Sequence, residues 1–107
     1  ASEAHELLTT ILGLVRGKSF QEDLSALRDK KGRTESQIRI GLGMVFSSLC
    51  KATVMSFGFA GDRGGFDEMF NAVFAHGDDP KVVFLTEEIE RLMRVPRGEW
   101  FGVTAGP

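Results

Sequence analysis

The sequence predicts an all-α fold: a compact bundle of four to five helices with a long central helix at about residues 34–57. Three observations predict it. Apolar residues recur three and four positions apart through most of the chain, which places them on one face of a helix. Helix-start signals of the S/T-x-x-E/Q and Asp-Pro kinds stand ahead of those patterns, and glycines follow several of them. Alternation of the strand type is weak, and no internal repeat or low-complexity segment is visible.

The elements follow in order. Residues 2–16 put Ala4, Leu7, Leu8, Ile11, Leu12 and Val15 on one face, with Ser2 placed to cap the start and Gly17 to stop it. Ser19 and Glu22 have the spacing of a capping box for a second helix, in which Phe20, Leu24 and Leu27 share a face. Lys30 and Lys31 suit the negative end of that helix dipole, and Gly32 can adopt the left-handed stop conformation. Thr34 and Gln37 form a second capping box and open the long helix.

Along the long helix Ile38, Leu42, Val45, Phe46, Leu49 and Thr53 make one stripe, while Ile40, Met44, Val54 and Met55 lie off it. Apolar residues on more than one side imply neighbours on more than one side, hence a central place. Gly41 and Gly43 cost about 1 kcal/mol each in helix propensity, and their missing side chains let another helix come close. The stretch "GFAGDRGGFDE" reads as a glycine loop. Phe66, Met69, Phe70, Val73 and Phe74 then share a helical face that Gly77 ends.

Asp79 as N-cap with Pro80 at the first helical position starts a last helix carrying Val82, Leu85, Ile89 and Leu92, with Met93 beside them. The alternative is a short strand at 81–85, with Thr86 capping a separate helix and "WFGVTA" as the strand's partner. "TEEIER" reads as an acidic first turn with a later arginine to pair with it. Pro96 and Gly98 end regular structure. The organisation expected is one helical domain over 1–96 and a C-terminal tail over 97–107, loose unless Trp100 and Phe101 anchor it.

At 107 residues the chain suits one domain with a modest core, so oligomerisation is a ready way to bury more surface. The net charge of −2 argues against a generally basic nucleic-acid binder, yet it is unevenly spread. Residues 1–54 hold eight Lys/Arg against six Asp/Glu, and residues 55–107 hold five against nine. The basic excess concentrates between Arg16 and Arg39, and such a local patch can bind polyanions. Nine phenylalanines without a tyrosine suggest a dry core.

The run "IRIGLGMVFSSLCKATVMSFGFA" has the length of a membrane span. Arg39, Lys51, three serines and Thr53 interrupt it, so a buried helix is expected, with no membrane contact and a cytoplasmic location. The single cysteine, Cys50, excludes an intramolecular disulfide, suits a reducing compartment and reads as a small buried residue. No leader pattern is visible, and the first residue is Ala1, so the chain is expected to be processed, trimmed or excised from something longer.

In "LSALRDKKGRTESQIRIGL" a helix runs into a basic turn with a glycine, and a second helix opens at Thr34 and Ser36. This stretch resembles the second half of a ribbon-helix-helix repressor. The resemblance implies DNA contact, for which the candidates here are Arg28, Lys30, Lys31, Arg33, Ser36, Gln37 and Arg39. It also implies an alternating strand ahead of the first helix, a place held here by "TILGLVRGKS", whose upstream spacing is helical. The same letters also describe a solvated corner between two helices.

Other clusters carry less chemistry. Gly64 and Gly65 beside Arg63 suggest a phosphate cradle, but no Walker pattern and no preceding strand accompany them. His76 near Asp78 and Asp79 is short of a metal-ligand set, and His5 lies beside Glu3 and Glu6 on the first helix. No catalytic residue, metal site or cofactor is expected. The first reading is therefore a non-enzymatic helical interaction protein that regulates or scaffolds a protein partner, self-associated as a homodimer. Its contact face is expected at Phe66, Met69, Phe70 and Phe74 or on the final helix. The alternative is a nucleic-acid-binding transcriptional regulator using the basic turn at 28–39. Last comes an enzyme with a site near Arg63, His76 and Asp78.

Overall fold

The computed structural model describes residues 2–104 as five α-helices with no strand among them: α1 (Ser2–Arg16), α2 (Lys18–Asp29), α3 (Glu35–Ser56), α4 (Arg63–Ala75) and α5 (Pro80–Leu92). Leu7, Leu8, Ile11, Leu12 and Val15 are all buried on α1, which packs most extensively on α5 and also on α2 and α3. α3 packs on α1, α2 and α4. The core between them holds Phe20, Leu24, Leu42, Phe46, Met69, Val82, Ile89 and Met93.

α1 turns into α2 on Gly17 alone, whose N–H donates to Leu14 O at 3.1 Å. α2 therefore starts at Lys18 with Gly17 as its cap and no side-chain cap. The capping box expected from Ser19 and Glu22 does not form, because the one-residue turn already places Ser19 inside the helix. Gln21 ties the corner instead, donating to Val15 O at 2.7 Å and Leu92 O at 3.1 Å.

The second expected box is present. Gln37 N donates to Thr34 Oγ1 at 3.2 Å, and Thr34 N donates to Gln37 Oε1 at 2.9 Å. Gly32 takes the expected left-handed conformation, at φ 83°. Gly41 makes room for α2, since a Cβ there would stand 2.6 Å from Leu27 Cδ2.

The buried line of α3 is Ile38, Leu42, Phe46, Cys50 and Val54. It departs from the expected stripe: Val54 is inside, and Val45, Leu49 and Thr53 are only half-buried. The other off-stripe residues, Ile40, Met44 and Met55, meet no neighbouring helix and stand exposed.

The glycine loop is shorter than expected. Asp62 caps α4, accepting from Gly65 N at 2.8 Å, so Gly64 and Gly65 lie in the first helical turn. Gly65 is required there because an added Cβ would fall 1.8 Å from Ala60 O. Residues 81–85 are helical, not a strand: Asp79 accepts from Lys81 N at 2.9 Å, and Pro80 stands at the first position.

The segment after α5 is packed through residue 104; the rest of the expected tail, 105–107, lies outside the described residues. Phe101 and Val103 are buried. The anchor is Glu90, fully buried, whose carboxylate accepts from the backbone N–H groups of Gly98, Trp100 and Phe101, each at 2.9 Å. "TEEIER" thus sits in mid-helix. Its Glu88 and Arg91 pair as expected, at 2.6 Å, while Glu90 turns inward.

Candidate interaction surface

Ile40, Met44, Ser47, Ser48, Lys51 and Met55 fall within an arc of about 100° on α3. Ile40 is 68% exposed, Met44 69% and Met55 52%. They form a ridge opposite the buried line. α3 is long and apolar enough to cross a membrane by length and composition, yet only 28% of its most apolar window is buried.

A groove flanks the ridge on each side. Between α2 and α3 one of about 430 Å³ runs past Ser19, Phe20, Asp23, Met44 and Ser48. Between α3 and α4 one of about 690 Å³ runs past Ile40, Met44, Lys51, Arg63, Asp67 and Phe70 to Trp100. Aromatic packing sets the floor of the larger groove. Phe46 meets Trp100 edge-on at 5.4 Å and Phe70 stacked at 6.2 Å, with Phe66 and Phe101 each at 6.4 Å. The Trp100 indole N–H finds no acceptor among the described residues, so packing alone holds the ring.

The borders carry both signs. Asp23, Asp62 and Asp67 are exposed acids; Lys51 and Arg63 are exposed bases, and Arg39 is half-buried. Arg39 is engaged in ion pairs with Glu99 and, at 3.9 Å, with Glu35.

The residues expected to contact a partner separate. Phe66 and Met69 are core residues, Phe70 is a half-buried groove wall, and Phe74 is 62% exposed beside Gly102. They make no common exposed face.

The basic corner separates too. Arg28 donates to Glu35 at 3.2 Å and to Arg94 O at 2.8 Å. Gln37 is engaged in the cap of α3, and Arg33 is half-buried beside Gly41. Lys30, Lys31 and Ser36 remain exposed. The strand that the ribbon-helix-helix resemblance implies is replaced by the end of α1 and the start of α2.

Nor does the fold assemble the other clusters. Arg63 and His76 lie at opposite ends of α4, about 20 Å apart along its axis. Asp62 occupies the N-terminus of α4, where its negative charge opposes an incoming phosphate. Asp79 pairs with His5 rather than His76, at 2.7 Å, and that hydrogen bond holds its carboxyl below the usual range. No group of three or more His, Cys, Asp or Glu suited to a metal occurs among the described residues. Burial pushes the Cys50 thiol up to about 12, which leaves it protonated and inert as a nucleophile.

With known proteins the chain gives no match, to any family, curated sequence or solved structure. The ridge was visible in the sequence only as apolar residues off the main stripe. What the sequence lacks is the knowledge that no neighbouring helix reaches them.

Proposed function

We propose that this chain is a non-enzymatic helical interaction protein, regulating or scaffolding a protein partner, with the α3 ridge and its two grooves as the contact surface. One observation carries this: Ile40, Met44 and Met55, three large apolar side chains on one helical face, are each more than half exposed. Burying a fully exposed side chain of this kind is worth about 1.5–3 kcal/mol, so covering the exposed parts of these three contributes up to several kcal/mol toward binding before the costs of association. Scattered single apolar residues need no such account, and Phe84 on α5, ringed by Glu87, Glu88, Arg91 and Arg97, is one. The basic corner supports a polyanion reading less well, because Arg28 and Arg39 are engaged in ion pairs and Gln37 in a cap.

The test compares the protein with its Ile40→Glu/Met44→Glu double variant in quantitative cross-linking and capture from a cell extract. Both residues are exposed, so far-UV circular dichroism and thermal midpoint should match. The reading expects every association, with itself or with another protein, to be lost in the variant. Equal association by both proteins refutes the reading.

A further inference from the structure

The sequence has four methionines, and the fold divides them evenly. Met44 and Met55 stand on the α3 ridge, each more than half exposed. Met69 and Met93 are fully buried in the core. Met44 and Met55 are eleven residues apart, which puts them within about 20° of each other around α3. Two of the three large apolar side chains on that face are therefore thioethers open to small molecules in solution.

A thioether sulfur is soft and polarisable, and exposure decides which methionines are oxidised. The fifth sulfur in the chain does not compete. Cys50 is buried, and its thiol, pushed up to about 12, stays protonated, whereas the thiolate is the reactive form. Met55 also has Lys51 one helical turn before it. Met55 Sδ and Lys51 Cε lie 2.7 and 2.9 Å from a common point, the place a Cβ on Gly61 would take. The lysine ammonium, one bond beyond Cε, is thus beside the sulfur, where it can donate to an oxygen added there.

We infer that Met44 and Met55 form a paired oxidation site, at which a hydroperoxide turns the α3 ridge polar while the core stays intact. The sulfur lone pair attacks one oxygen of H–O–O–H. An S–O bond forms as the O–O bond breaks, so sulfur is oxidised by two electrons and the peroxide is reduced by the same two. The departing hydroxide takes the proton from the transferred oxygen and leaves as water. Each methionine becomes a sulfoxide, a polar and chiral side chain. Of the ridge's large apolar residues only Ile40 then remains. A contact made through the ridge is lost with the other two, a consequence that rests on the interaction reading above.

The full chain is treated with dilute hydrogen peroxide, and each methionine is followed by peptide mass spectrometry. Met44 and Met55 should gain oxygen about tenfold faster than Met69 and Met93, since access governs the rate. The oxidised protein should keep its helical circular dichroism and elute earlier in hydrophobic interaction chromatography. The Met44→Leu/Met55→Leu variant, treated in the same way, should keep its elution position. Methionine sulfoxide reductases should return the wild-type protein to its own. Oxidation of all four methionines at one common rate overturns the inference. So does an unchanged elution, or a loss of helix, once Met44 and Met55 are oxidised. The same samples then enter the cross-linking and capture assay above. Association lost on oxidation, and kept by the treated leucine variant, supports the consequence for the contact; association kept by the oxidised wild type overturns it. If the untreated protein associates with nothing, the interaction reading falls, and the oxidation site is still decided by the mapping and the elution.

Discussion

Glu90 is the residue on which the C-terminal segment depends. A carboxylate is the one side chain that can accept from three N–H groups without offering a donor in return. Glu90 is fully buried and receives three such bonds, from Gly98, Trp100 and Phe101. The Glu90→Gln variant keeps the shape but turns an amide NH₂ toward a backbone N–H. It should lose about 2–4 kcal/mol, read as a lower midpoint in urea unfolding. A midpoint unchanged within error would mean that the tail is held by Phe101 and Val103 alone. The sequence places Glu90 in an acidic turn and does not show its burial; in the structure it continues the i, i+4 line from Val82 and Thr86, both buried. The reason for an acid there was not legible, since the three donors come from a turn whose path local pattern does not reveal.

Some local caps were legible and others were not: the Ser19–Glu22 box does not form, and the Asp62 cap on Gly65 lies in a stretch that reads as loop. The Thr34–Gln37 box, the Asp79–Pro80 start and the left-handed Gly32 each depend on residues within a few positions of each other. Where a neighbouring segment decides, the sequence misleads. Gly65 looks like loop glycine, yet Asp62 caps α4 and puts it in the first helical turn, where the close backbone of Ala60 leaves no room for a Cβ. The buried line of α3 advances strictly by four residues and so winds slowly around the helix, following the neighbours it meets. A stripe drawn from hydrophobicity alone misses that drift and leaves out Val54. The end of α5 offers a test. Arg94 N donates to Arg91 O and Val95 N to Glu90 O, the paired bonds of a Schellman stop, with Arg94 at φ 59° where glycine is usual. Arg94→Gly removes the left-handed penalty, at the loss of one exposed hydrogen bond to Ser25. Its stability should rise by about 0.5–1 kcal/mol, measured by the same urea titration. A loss of stability would mean that the Ser25 contact outweighs the strain.

For the whole molecule, size explains why a bare apolar ridge matters. A Cα radius of gyration of 13.5 Å is close to the roughly 13 Å expected for a compact domain of this length. A domain this small buries a limited share of its apolar surface by itself. The five helices and their order could be read from periodicity and caps, while the ridge follows from which neighbours α3 does not have. The association proposed above would cover it, and mass is the most direct measure of association with a second copy. Static light scattering of the wild-type protein over a wide dilution series should show a mass rising from 11.7 kDa toward twice that value with concentration. The Met44→Glu variant should stay at 11.7 kDa throughout, with unchanged helical content. A wild-type mass fixed at 11.7 kDa across the whole series would contradict self-association through the ridge.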